Sequence, residues 1–275
     1  MDIVGRSHSL IVAQIDLHGA WLQAGLQKVL LPKREVPEGL KAGAQLTVFV
    51  YGSVGDQLQG TLRTPRAEVG EIALFPVSQV TEHGVFVDWG IGKELLVPFA
   101  KQPERMQSGR SYLVRVELDR QGRPFGNARF ERALSETAKG LKVGQEVSLL
   151  LWQFTDLGAK VIVEQRTIGL LYRNELRPEL SIGTPLVGYV KALRPDGKLD
   201  VTLRPGGANE VEEAKAKILA ALAKTGTLPL HDQSPPAAIQ GALGMSKKLF
   251  KKAVGGLYKA GLVELTPDGV RRKGR

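Results

Sequence analysis

The 275-residue chain has no cysteine. That excludes a disulfide framework, a thiolate zinc site and a cysteine nucleophile, and it suits a reducing compartment. Catalytic signatures are also missing. The four histidines, His8, His18, His83 and His231, include no i, i+4 pair, and no HExxH, GxSxG or Walker-type glycine loop occurs. Gly90-Ile91-Gly92 lacks a third glycine and a following helix. Carboxylate pairs such as Glu212-Glu213, or Asp196 with Asp200, suit solvated surfaces better than acid–base chemistry. The expectation is a protein that is not an enzyme, with no catalytic or metal-binding residue, no cofactor and no small-molecule substrate. No apolar run approaches the ~20 residues needed to span a bilayer. The opening Met1-Asp2-Ile3-Val4-Gly5-Arg6 has no basic leader ahead of a long apolar stretch. A cytoplasmic protein without a membrane partner is expected.

Acidic residues are outnumbered, 28 to 38, giving a net charge of +10. The excess is uneven. Residues 67–135 hold nine basic and nine acidic residues, whereas residues 209–275 hold 12 and six. A basic excess favours a polyanionic partner, most often nucleic acid, although a merely solvated surface has the same composition.

What the chain has in abundance is repetition. Three copies of one pattern begin at His18-Gly19-Ala20-Trp21-Leu22, His83-Gly84-Val85-Phe86-Val87 and Leu157-Gly158-Ala159-Lys160-Val161. Each leads to a second apolar run ending at Pro32, Pro98 or Tyr172. The next glycine, Gly43, Gly109 or Gly183, always lies 11 residues further on and precedes an alternating strand. The strands Leu46–Val50, Leu113–Glu117 and Leu186–Val190 then turn through Gly55-Asp56, Gln121-Gly122 and Asp196-Gly197. An identical internal spacing kept three times in order indicates a repeated supersecondary unit. Period-2 alternation with Gly, Pro and Asp punctuation fits a small antiparallel barrel of about five strands. The glycine at each first junction suggests a tight bend or bulge. In the middle copy, alternation sends Val85 and Val87 to one face and Phe86 to the other.

These residues resemble the S1-type branch of the OB-fold, whose members bind single-stranded RNA. The middle copy carries the fullest motif: His83-Gly84-Val85-Phe86-Val87-Asp88, Leu96-Val97-Pro98 and Asp119-Arg120-Gln121-Gly122-Arg123. The resemblance implies that His83 and Phe86 stack on bases and that Asp119 and Arg123 flank the last turn. Pro98 departs from the polar residue usual at its position. The first copy keeps His18 and Trp21 but has Ser53 and Gln57 where the acid and base would lie. The third replaces the rings with Leu157 and Lys160 while gaining Tyr172, Arg194 and Lys198. An exposed ring stacks on any base, and a neighbouring cation follows the phosphates, so the grip tolerates sequence variation.

From Asn209 the pattern becomes helical. One helix is expected over Val211–Leu222, ending near Gly226. A second should start behind an N-cap at Ser234 with Pro235 first, and a third should run from Lys247 to about Ala260 with Ser246 as cap. Thr266-Pro267-Asp268-Gly269 is a hairpin signal. Three helices followed by a hairpin is the winged-helix arrangement. At ~100° per residue the third helix puts Leu249, Phe250, Ala253, Val254 and Leu257 on one side. Lys247, Lys248, Lys251, Lys252 and Lys259 fall on the other, and Arg271 and Arg272 add charge on the hairpin. Lysines contact phosphates without reading bases. Nonspecific backbone binding, or protein docking, is expected there rather than operator recognition.

The expected fold is mainly β and multidomain. Three tandem S1-like OB-fold antiparallel barrels, residues 1–65, 66–133 and 139–206, precede an α+β winged-helix domain at 209–275. This architecture, together with Leu243-Gly244-Met245-Ser246-Lys247-Lys248-Leu249-Phe250 and the residues after it, resembles the conserved virulence factor B family of bacterial RNA-binding proteins. The resemblance implies a role in RNA metabolism and post-transcriptional regulation, with single-stranded RNA as partner. DNA bound through the winged helix, and docking on the ribosome or transcription machinery, are the alternative roles.

Overall fold

The computed structural model describes residues 3–54, 57–205 and 208–273. It contains two compact units, residues 1–137 with 148–186, and residues 138–147 with 187–275.

In the first barrel β1 (Arg6–Ile15), β2 (Gly19–Ala24), β3 (Gln27–Pro32), β4 (Gln45–Val54) and β5 (Gln57–Thr61) close in the order β1-β2-β3-β5-β4. All neighbours are antiparallel except β3 and β5, whose parallel pairing seals the barrel. Val12, Leu22, Val29, Leu31 and Val50 fill its interior at 1% exposure or less. The second barrel comprises β6 (Ile72–Val80), β7 (Gly84–Asp88), β8 (Glu94–Pro98), β9 (Ser111–Leu118) and β10 (Pro124–Asn127). Its sheet order is β10-β9-β6-β7-β8, nearly closed. The third, β11 (Glu146–Thr155), β12 (Gly158–Val163), β13 (Thr167–Tyr172), β14 (Pro185–Leu193) and β15 (Leu199–Thr202), closes in the order of the first. The constant 11-residue spacing has a structural cause. Pro32, Pro98 and Tyr172 each lead into a single 3-10 turn, at Lys33–Glu35, Phe99–Lys101 and Arg173–Glu175.

The repeated glycine explains itself by close approach. Gly19, Gly84 and Gly158 have φ of 146°, 155° and 153°, and a Cβ there would sit 2.0, 2.4 and 2.1 Å from the carbonyl oxygens of Leu31, Val97 and Leu171. Backbone cannot yield as a side-chain tip can, so only glycine lets the two strands meet at this corner.

Within the first unit the second barrel is held on both sides. Phe49 meets Trp89 edge-on with ring centroids 5.2 Å apart, and the Trp89 indole donates to the Ala67 carbonyl at 2.8 Å. Gln165, in the left-handed region at φ 58°, uses its side-chain amide like a strand edge. Its Oε1 accepts from the Ile72 N–H at 2.9 Å, and its Nε2 donates to the Ile72 carbonyl at 3.2 Å. Ile72, Leu113, Phe130, Leu134, Leu150 and Ile162 form an apolar cluster around this link.

The C-terminal region packs α1 (Ala208–Thr225), α2 (Pro236–Leu243) and α3 (Lys247–Lys259) against a sheet of β16 (Thr227–Leu228), β17 (Val263–Thr266) and β18 (Gly269–Arg272), ordered β16-β18-β17. Helix α2 corrects the expected cap. Pro235, not Ser234, is the N-cap and Pro236 the first helical residue, while the Ser234 hydroxyl accepts from the His231 N–H at 3.0 Å. Ser246 caps α3 as expected, accepting from the Leu249 N–H at 3.3 Å. The short strand β16 was invisible in the sequence because two residues carry no periodicity.

Candidate nucleic-acid interface

The outer face of each barrel is organised by a bulge at one position of its first strand. Val12 pairs with Leu22 and Gln14 with Trp21; Val77 pairs with Val87 and Gln79 with Phe86; Leu151 pairs with Val161 and Gln153 with Lys160. Each first strand therefore carries one extra residue, Ala13, Ser78 or Trp152. The bulge bends the strand and re-aims its side chains. Trp21, Phe86 and Lys160 occupy one equivalent position, flanked on the other side by Leu30, Leu96 and Leu170.

In the middle barrel Val85 and Val87 are wholly buried while Phe86 between them is only partly covered. The alternation holds, and the ring lies outside the core. His83 stands exposed at the turn before β7. Its N–H donates to the Thr81 hydroxyl at 3.3 Å, and its ring lies 3.5 Å from the exposed Glu82 carboxylate. Pro98 pairs with Gly84 across β7 and β8. At the β9–β10 turn the Asp119 carboxylate accepts from the N–H of Gln121 and of Arg123 and from the Arg123 guanidinium at 2.8 Å. The Arg123 backbone N–H, its side chain and the Gln121 N–H hold Asp119 below the usual carboxylate range. Arg123 remains exposed, positioned by Asp119 but open to a phosphate. The structure thus groups His83, Phe86 and Pro98 on one strand pair and Asp119 with Arg123 on one turn.

In the first barrel the Trp21 indole donates to Asp16 Oδ2 at 2.7 Å, and the His18 and Gly19 N–H groups donate to Asp16 Oδ1 at 2.8 and 3.3 Å. The indole bond, then the His18 N–H, lowers the Asp16 pKa. Asp16, which motif reasoning missed, anchors the Trp21 ring; its signal was an acid five residues before a tryptophan across a turn. The Gly55-Asp56 turn and the side chain of Ser53 lie outside the described residues, while Gln57 opens β5.

In the third barrel the lysine at the ring position is exposed, and its ammonium lies 5.5 Å from the centre of the Trp152 ring. Tyr172 ends β13, partly covered. In the other unit, Arg194 lies 3.6 Å from Asp196 and 3.9 Å from Asp200, and Lys198 lies 3.9 Å from Asp196, around a turn closed by the Arg194 N–H donating to the Lys198 carbonyl. Two further cation–ring pairs flank the middle barrel: Arg105 over Phe99 at 3.9 Å and Lys101 over Phe125 at 5.4 Å.

Helix α3 divides as its sequence predicts. Phe250, Ala253, Val254 and Leu257 are buried. Lys248, Lys251, Lys252 and Lys259 are exposed, as are Arg271 and Arg272 on β18, while Lys247 is half-buried. Of these, Lys251 has an acidic neighbour, Asp232, at 3.7 Å. Among the described residues no cluster of His, Asp or Glu could hold a metal ion, and no helix is long and apolar enough to cross a membrane.

Comparison with known proteins agrees with this architecture. Residues 4–63 match the S1 domain family, and residues 216–271 match the CvfB-like winged helix domain. The S1 match falls on the first barrel, although the middle barrel carries the fuller motif. Across 254 residues the chain is 26% identical to Bacillus subtilis YitL, covering 89% of this chain and 85% of that one. It is 24% identical over 278 residues to conserved virulence factor B of Staphylococcus epidermidis, covering 96% and 93%. A crystal structure of a Streptococcus pneumoniae multidomain protein with nucleic acid binding domains aligns over 99% of both chains at 24% identity, with a TM-score of 0.42. The matched domain families are nucleic-acid-binding and winged-helix families rather than enzymatic ones, and over nearly its whole length the chain is similar to proteins named conserved virulence factor B.

Proposed function

We propose that the protein binds single-stranded RNA in the cytoplasm and acts in RNA metabolism or post-transcriptional regulation. The binding work divides among four segments, residues 1–65, 66–133, 139–206 and 209–275. In this reading His83 and Phe86, with Arg123 held by Asp119, form the principal grip. His18 and Trp21 repeat it, and Lys160, Tyr172, Arg194 and Lys198 contribute in the third barrel. The observation that carries the reading is the equivalence of Trp21 and Phe86. Both rings occupy the same outer register beside a bulge, while their strand neighbours Ala20, Leu22, Val85 and Val87 are completely buried. A ring kept partly open at the same place in two barrels suits base stacking, which contributes roughly 1–3 kcal/mol per base. Lys247, Lys248, Lys251, Lys252, Lys259, Arg271 and Arg272 add a phosphate-following surface.

Binding of labelled single-stranded RNA, single-stranded DNA and duplex DNA to the full chain over a salt series tests this. Preference for single-stranded RNA that persists at moderate salt is expected. Preference for one duplex sequence, carried by residues 209–275, would instead support the alternative of a DNA-binding regulator.

A further inference from the structure

The third barrel has a lysine at the position where the other two carry a ring, and it has a ring at the bulge where the others carry a small residue. The bulge and outer positions hold Ala13 and Trp21 in the first barrel, Ser78 and Phe86 in the second, and Trp152 and Lys160 in the third. One large aromatic side chain therefore sits on this face of every barrel, on β2 and β7 in two cases and on β11 in the third.

We infer that Trp152 is a base-stacking platform and that the groove it lines takes one base of a single strand, with Lys160 beside it contacting the phosphate. This rests on the single-strand-binding reading above and extends it to a site outside the repeated motif. Three observations carry it. Trp152 is only partly buried, and it lines an open groove of about 480 Å³ with Arg132, Leu134, Gln153, Lys160 and Ile168. Its indole packs against Phe130, a buried ring 5.9 Å away and tilted by 50°, so one side of the platform is supported before any ligand arrives. The Lys160 ammonium lies over the same ring at 5.5 Å, exposed and able to swing aside. A cation over an exposed ring contributes little in water; a base can replace it on the ring while the ammonium follows the phosphate. Glu131 and Glu136 also line the groove. Their carboxylates repel a phosphate from inside it and can accept from the amino groups of a base, which favours base in and backbone out.

The test uses the full chain and a single-stranded oligonucleotide of about 12 residues, within the span such barrels cover. The oligonucleotide carries 5-iodouracil for photo-cross-linking, and cross-linked peptides are mapped by mass spectrometry. A cross-link on Trp152 is expected. Trp152→Leu should weaken binding roughly 5- to 100-fold, Trp152→Phe should restore most of it, and Lys160→Glu should weaken binding without lowering the melting temperature. Phe86→Ala, measured in parallel, separates the two claims. If Phe86→Ala weakens binding while Trp152→Leu and Lys160→Glu leave it unchanged and no cross-link forms on Trp152, the inference falls and the main reading stands. Weaker binding by Trp152→Leu without a cross-link on the ring assigns Trp152 to the core around Phe130, and also overturns the inference. If no variant matters and the chain does not bind single strands, both fall.

Discussion

The outer face of the middle barrel and the basic face of α3 are two different ways of presenting a surface to a polyanion. The barrel face lies in a segment with equal numbers of basic and acidic residues, and it is fixed by backbone: a glycine that no other residue can replace, a bulge, and a ring held between two sealed valines. The α3 face is a row of exposed lysines on an amphipathic helix, each movable without consequence for the core beneath. A fixed ring selects an unpaired base, while mobile cations respond to charge density alone. The first should resist salt and fail with small backbone changes; the second should fail with salt and tolerate substitution.

The largest effect that would break this contrast is at Gly84. Gly84→Ala places a methyl group 2.4 Å from the Val97 carbonyl oxygen and 3.0 Å from the Pro98 Cα. A loss of roughly 2–4 kcal/mol in urea unfolding is expected, in the range of substitutions that strain a fixed backbone. Lys248→Ala on α3 should change stability by less than about 0.5 kcal/mol. Equal losses at the two positions would remove the distinction. Next in size, Phe86→Ala and Trp21→Ala should each weaken single-strand binding by roughly 1–3 kcal/mol while leaving most of the melting temperature intact. A sharp fall in melting temperature with undiminished affinity would assign the ring to the core.

The parts of this contrast differed in how openly the sequence displayed them. The repeat, the alternation of Val85, Phe86 and Val87, and the two-sided character of α3 were legible because each depends on local periodicity. The parallel β3–β5 closure, the Gln165 tether to Ile72 and the position of Trp152 were not. They arise where segments distant in sequence meet, and a bulge shifts register by one residue without leaving a distinctive residue behind. Trp152 illustrates the cost of aligning motifs alone, since comparing the glycine-centred motifs shows a lost ring and only the strand pairing shows where a ring remains. The N-cap of α2 failed for a smaller reason: Ser234 and Pro235 are both good start signals, and one residue separates their consequences.

Smaller than the ring effects at moderate salt is the contribution of the helix. Replacing Lys248, Lys251 and Lys252 together with Gln should lower the slope of log affinity against log salt by about 2, since each phosphate contact accounts for roughly 0.7–0.9. Lys251 should contribute least of the three because Asp232 already lies 3.7 Å from it. An unchanged slope would assign the face to solubility or protein docking. A slope that falls for duplex DNA but not for RNA would separate the targets of the two surfaces.

The smallest expected effect concerns how firmly Trp21 is held compared with Phe86, which accepts no such anchor. Asp16 binds the Trp21 indole and the His18 N–H as a carboxylate, so its pKa lies below its ordinary value in the folded chain. A carboxyl with a depressed folded pKa favours the folded arrangement above its unfolded pKa, and that contribution disappears as pH falls through the folded value. The anchor is therefore complete at neutral pH and released only in acid, below the normal aspartate range. Tryptophan emission should shift there as the indole loses its partner, in a step that Asp16→Asn abolishes. Because Asp16 is only partly covered and lies outside the apolar interior of the barrel, the barrel should remain folded through the step. Single-strand affinity of Asp16→Asn at neutral pH should fall by no more than a few-fold, less than that of Trp21→Ala, since the ring remains and only its orientation is freed. A loss as large as that of Trp21→Ala would mean that the fixed orientation of the ring, rather than its presence, makes the first barrel a binding surface.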